Sequence, residues 1–158
     1  MDKDRIVREH LLKLLRGGEA HSDFDSVMED FPLEKINARV PGIPYSAWDV
    51  VEHIRIAQWD ILEFSRNPNY VSPSWPEGYW PKKDAKATRQ QWQQSVAQIR
   101  SDREEMEQIV KDQTTDLYSP IPHGSGQTLL REALLVADHN AYHLGALVVL
   151  KRILSGGE

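Results

Sequence analysis

His139 and His143 have a spacing that can do chemistry. Four positions apart on a helix, they project from one side on successive turns. That side also carries Leu129, Ala133, Val136, Leu147, Leu150 and Leu154. Two imidazoles that interrupt an apolar stripe in this way are placed to ligate one metal ion, with a third ligand supplied by another helix. Of the 6 histidines, His53 is the best candidate, because it sits among Val50, Ile54, Ala57, Ile61 and Leu62 on one helical face. The alternative is that these rings are buried only to hydrogen-bond a carbonyl or carboxylate. Three such rings in a purely structural role each leave a ring nitrogen to satisfy, whereas one divalent ion satisfies three at once. Three neutral histidines leave the charge of an ion unneutralised and a coordination position open, which is the catalytic arrangement. Such an ion lowers the pKa of bound water to about 7, polarises a carbonyl or holds a thiolate. The first makes a hydrolase. The last makes a transferase that takes its thiol from a cosubstrate, as suits a chain with no cysteine.

The proton-handling group is less marked. His139 is followed by Asn140, not by the Glu of H-E-x-x-H proteases. Asp49, one turn before His53, and Glu132, two turns before His139, are the carboxylates nearest the correct faces. Either can orient a ligand imidazole or move a proton. The reading preferred for both is plainer: Asp49 closes a capping box with Ser46, and Glu132 is an acidic first-turn residue favoured by the helix dipole. Trp75, Tyr79 and Trp80 lie in a proline-rich crossing, where they either roof the site or pin the crossing to the fold. His123 precedes the last helix and belongs to the opposite end from His53, so it is excluded as a ligand. His10 and His21 have no motif around them and are assigned to the surface.

The elements that must position these residues are all helical. Periodicity predicts helices over about 4–16, from the Ser46 cap to Arg66, over about 84–112 and over about 127–154, with Gly156-Gly157 ending the fold and a short helix near 24–30. The fold class is therefore all-α: one domain over residues 1–158, a four-helix bundle with long crossover connections. The crossing after the second helix, at about 3.3 Å per residue, reaches farther than that helix is long at 1.5 Å per residue. It can return along the bundle and leave the second and third helices parallel. If the second and fourth helices are antiparallel, His53 and His143 lie at similar depths. The third helix shows a seam of Trp92, Val96, Ile99, Met106 and Val110 broken by Arg103. Asp102, Glu104 and Glu105 are assigned to its solvated face. The fourth helix, the most apolar, is expected to lie deepest.

Composition narrows the function. A hydrophobic content of 40% supports a core, and 0 cysteines exclude disulfides and Cys-ligated zinc within the chain. A net charge of -5 argues against wholesale binding of nucleic acid or an anionic membrane. The charged opening MDKDRIVREH has no apolar signal region, and the longest apolar run is only Leu144 to Leu150. A cytoplasmic protein is expected, with no nucleic-acid or membrane partner.

The stretches SAWDVVEHIRIAQWDIL and ADHNAYHLGALVVLKRIL, with one histidine on the second helix and H-x3-H on the fourth, resemble the DinB/YfiT-like metalloenzymes. The resemblance covers most of the chain. It implies that His53, His139 and His143 bind one divalent ion, zinc or nickel first among those the family uses. It also implies a homodimer, in a family whose activities include thiol-dependent transferases and isomerases. Together with the site chemistry above, a hydrolase or thiol transferase acting on a small molecule is expected, with a low-molecular-weight thiol as partner. The alternative is a non-catalytic helical binding or assembly module whose metal site is structural or vestigial. DNA binding, suggested only by the family name, finds no support in charge or motif.

Overall fold

The computed structural model describes residues 2–156. Among them the chain forms five α-helices, two single 3-10 turns and no strand. These are α1 (Lys3–Arg16), α2 (Phe24–Met28), α3 (Ala47–Arg66), α4 (Arg89–Lys111) and α5 (Leu129–Leu154), with 3-10 turns at Leu33–Lys35 and Glu77–Tyr79. The short α2 falls where the sequence suggested it. The all-α fold class holds, and α1, α3, α4 and α5 make the four-helix bundle.

Local chemistry sets the boundaries. Ser46 accepts from the Asp49 N–H while the Asp49 carboxylate accepts from the Ser46 N–H, a complete capping box at the start of α3. Thr88 and Gln91 form a second box at the start of α4. Helix α4 therefore begins at Arg89, not near Asp84 as periodicity suggested. Asp84 takes a left-handed φ of 61°, which no α-helix continues. Asn37 clamps Ala87 just before the box, donating to its carbonyl and accepting its N–H, both at 2.8 Å. After α1, Gly17 takes φ 75° and returns its N–H to the Lys13 carbonyl, a role suited to glycine. Gly156 follows α5; the expected stop at Gly157 lies outside the described residues.

Cross-helix hydrogen bonds give the directions. Ser95 pairs with Glu52, Gln58 with the Ile99 carbonyl, and Arg66 with Glu105, so residue numbers rise together and α3 and α4 run parallel. His53 meets His143 and Gln58 meets Asn140, so α5 runs antiparallel to α3. Arg8 of α1 reaches the carbonyls of Val110, Asp112 and Thr115 at the end of α4, and Arg16 reaches Glu107, which makes α1 antiparallel to α4. Segment 67–88 accordingly travels the length of the bundle.

Two sequence expectations are corrected. Helix α3, not α5, lies deepest: 13 of its 20 residues are buried, against 7 of 26 in α5. Helix α3 is packed between α4 and α5, whereas α5 leaves Leu134, Tyr142, Val149 and Ile153 exposed. By length and composition alone α5 is apolar enough to cross a membrane; in the fold it packs on α3 and α1. Asp102 is not on a solvated face but wholly buried. The seam of α4 runs Ile99–Asp102–Met106, a 3- then 4-residue step, while Arg103 beside it turns toward Asp25.

Candidate metal centre

The fold brings His53 of α3 and His139 and His143 of α5 to one place. The Nε2 atoms of His139 and His143 stand 3.0 and 3.1 Å from Nε2 of His53, and one ligand atom from each ring lies within 4.8 Å of the others. Antiparallel packing makes this possible, since adjacent turns of α5 face one turn of α3.

Ring chemistry decides what the cluster can do. The other nitrogen of His53, Nδ1, is 2.7 Å from the Tyr79 backbone carbonyl. A carbonyl only accepts, so Nδ1 carries the proton and Nε2 keeps a free lone pair. That lone pair points at the two rings of α5. Burial holds the His53 pKa below its ordinary value, partly countered by the Tyr79 carbonyl. Burial and then the neighbouring His53 lower His139. His143 is lowered to about 4 by burial, then by His139 and His53. All three rings are neutral at pH 7, the form that ligates metals. A tetrahedral ion with Zn–N bonds of about 2.0–2.1 Å separates its nitrogens by about 3.4 Å, a few tenths more than the two separations here. The donor set fits a divalent ion.

Buried Nδ1 of His139 has no partner, and neither has Oδ1 of Asn140, the next residue. A ring whose Nε2 holds a metal carries its proton on Nδ1 and needs an acceptor of this kind. The Asn140 amide lies near enough to raise His139 in part, short of a formed hydrogen bond. Its Nδ2 donates to Gln58 Oε1 at 2.5 Å, and Gln58 Nε2 donates to the Ile99 carbonyl at 2.7 Å. This polar thread through α5, α3 and α4 fixes the turn of α5 between the two ligands.

Trp80 lies flat on His53, with centroids 3.9 Å apart and planes 1° from parallel, and it also stacks with Tyr45 just before α3, centroids 6.4 Å apart. A cleft of about 400 Å³ opens over the three histidines, walled by Ala57, Ile61, Leu135, Trp75, Tyr79 and Trp80. Trp80 also borders a second cleft of about 700 Å³.

The chain matches the family model of the DinB superfamily over residues 18–147. It belongs to that superfamily. No curated protein and no solved structure matches it significantly. This DinB-superfamily chain therefore has an all-helical fold and three histidines close enough together to hold one metal ion.

The two carboxylates considered from the sequence lie elsewhere. Asp49 lines the larger cleft, where its Oδ2 accepts from the Ser46 N–H at 2.8 Å and forms an ion pair with Arg39 at 2.6 Å. Glu132 is buried beside Arg131, whose guanidinium donates to it at 2.5 Å. Neither bonds a ligand ring; the outer partner of His53 is a backbone carbonyl. His123 bonds the Phe64 carbonyl at the far end of α3, and His10 and His21 are exposed. Sequence reasoning missed Asp60, which lines the histidine cleft. Its signal was available: seven positions after His53, it lies two turns along the same face.

Proposed function

We propose that this chain is a metal-dependent enzyme acting on a small molecule, with His53, His139 and His143 holding one divalent ion, zinc or nickel. The carrying observation is the free lone pair of His53 Nε2, aimed at two further Nε2 atoms 3.0 and 3.1 Å away. When bound, such an ion supplies an open position that activates water, polarises a carbonyl or receives a thiolate. The chain's own residues prepare that position. The Tyr79 carbonyl sets the tautomer and angle of His53, Trp80 covers its ring face, and the apolar walls of the cleft limit water.

Two reaction types suit this site: hydrolysis, and transfer of a low-molecular-weight thiol to an electrophile. The thiol must come from a cosubstrate, since the chain contains no cysteine. This reading puts the protein in the cytoplasm, where such thiols are kept reduced, acting as a homodimer without nucleic-acid or membrane partners. The exposed apolar residues Leu134, Tyr142, Val149 and Ile153 on α5 support the pairing of two copies.

Protein purified without a histidine tag is expected to carry about one divalent ion per chain. Screening it with small thiols and electrophiles, beside esters and amides, is expected to give turnover that His143→Ala abolishes. A stoichiometric ion without turnover in any class would favour the non-catalytic role, and absence of a retained or added ion would refute the metal reading.

A further inference from the structure

Asp60 is a carboxylate in the histidine cleft that no ligand ring uses. It follows His53 by seven residues, about 10 Å along the axis of α3, and so lines the part of the cleft away from that ring. The Tyr79 hydroxyl donates to its Oδ2 at 2.7 Å, while its Oδ1 is buried without a partner. Burial and the charge of Asp60 push the Tyr70 and Tyr79 phenols up to about 12. Both remain neutral and leave the negative charge uncancelled.

Among the described residues Asp60 enters no ion pair. The nearby guanidinium of Arg131, in the adjoining cleft that Asp60 also lines, is held by Glu132. A partly buried carboxylate without a cation is costly, and here it stands among aromatic rings. Trp75 and Tyr79 meet edge to face with centroids 5.4 Å apart, and Trp75 is 73% exposed. Aromatic faces attract cations through their quadrupole, and a carboxylate accepts the strong charge-assisted bonds of an ammonium. The rest of the wall is apolar, from Ala57, Ile61 and Leu135, so the complementary ligand is an organic ammonium.

We propose that Asp60, with the rings of Trp75 and Tyr79, is the recognition site for a protonated amine on the substrate, whose other end reaches the three histidines. The second clause rests on the metal-site reading; the amine site does not. The ligand class is a small molecule with a primary or methylated ammonium at one end and a metal-binding group at the other. The spacing is that of two helical turns.

The test compares 6-amino-1-hexanethiol with 6-mercapto-1-hexanol, probes that differ only in ammonium against hydroxyl. The full chain is titrated calorimetrically, metal-loaded and after chelation. The ammonium probe is expected to bind about tenfold more tightly in both preparations. That preference should fall to within about twofold in Asp60→Asn and drop severalfold in Trp75→Ala. Equal affinities for the two probes, no measurable binding of either, or a preference that survives Asp60→Asn overturns the proposal. If Asp60→Asn does not fold, Trp75→Ala at its exposed position decides: an undiminished preference there overturns it. The chelated arm separates the two readings. Thiols that gain no affinity from the ion count against the metal centre alone, while loss of the ammonium preference counts against the amine site alone.

Discussion

Replacing His143 by alanine measures what the three-histidine cluster is for. The ring touches little besides the site: its Nε2 faces His53, and it lies edge-on to Trp80 and Tyr142. Without metal its removal costs one part-buried hydrogen bond, about 1 kcal/mol, offset by relief of three crowded neutral rings. A chain of this size moves about 2–4 °C per kcal/mol, so the metal-free melting temperature should fall by no more than about 4 °C. With metal the contrast is large. An ion at a thousand times its Kd stabilises the native state by about 4 kcal/mol, which for wild type means a rise of about 8–16 °C. Losing an outer-sphere partner already weakens binding 10–100-fold, and losing a ligand costs at least that much. At a hundredfold, the same ion concentration is only ten times the variant's Kd and gives about 1.4 kcal/mol. The variant's rise is then at most about 3–6 °C. Differential scanning fluorimetry with zinc, nickel and chelator reads all four values. An equal metal-induced shift in both proteins would refute the ligand assignment. A metal-free variant melting more than about 10 °C lower would make the cluster structural.

Further outcomes follow from individual residues. In chelated protein, the His143 pKa of about 4 lies below the ordinary 6.5, so the folded state binds fewer protons. The associated stability is full above 6.5 and is lost as pH falls through about 4; urea titrations across that window should show a decline that His143→Ala makes shallower. Asp102→Asn works in the opposite direction. Burial raises the Asp102 pKa above 3.8 and its Oδ2 has no partner, so the charged form is destabilising once pH exceeds the carboxylate range. The variant should gain about 1 kcal/mol at pH 7 and nothing at pH 3 by chemical denaturation. Arg8→Ala removes three hydrogen bonds to carbonyls at 2.7–2.9 Å around the end of α4. It should cost about 3 kcal/mol by urea unfolding and leave ion affinity, measured by calorimetry, unchanged.

How much of this was legible depends on the kind of signal. Helix positions, the Ser46–Asp49 box and the parallel α3–α4 pair could be read because caps, periodicity and chain reach are local or additive properties. The three histidines were legible because i, i+4 spacing on an apolar face survives folding. The acceptor on His53 was not, since a backbone carbonyl carries no residue type and Tyr79 reaches it from an irregular segment. Asp102 was misplaced because the 4-3 and 3-4 continuations from Ile99 differ only in whether 103 or 102 faces inward, and both residues are charged. The depth of α5 was overestimated by equating apolar content with burial. A helix can be apolar on a face the bundle does not cover, as Tyr142 at 78% exposure shows.

Two neighbouring rods that point the same way cannot be joined by a tight hairpin. The polypeptide must walk back from the finish of one to the beginning of the next, and residues 67–88 are that walk. Topology alone obliges only about ten extended residues to cover the length of α3; residues 67–88 exceed that, and Tyr79 and Trp80 ride on them past His53. An insertion or deletion there would not be the harmless event it is in most surface connections. It would slide the Tyr79 carbonyl off one imidazole and its phenol off Asp60 together, so the length of this passage is held to the same tolerance as the histidines themselves.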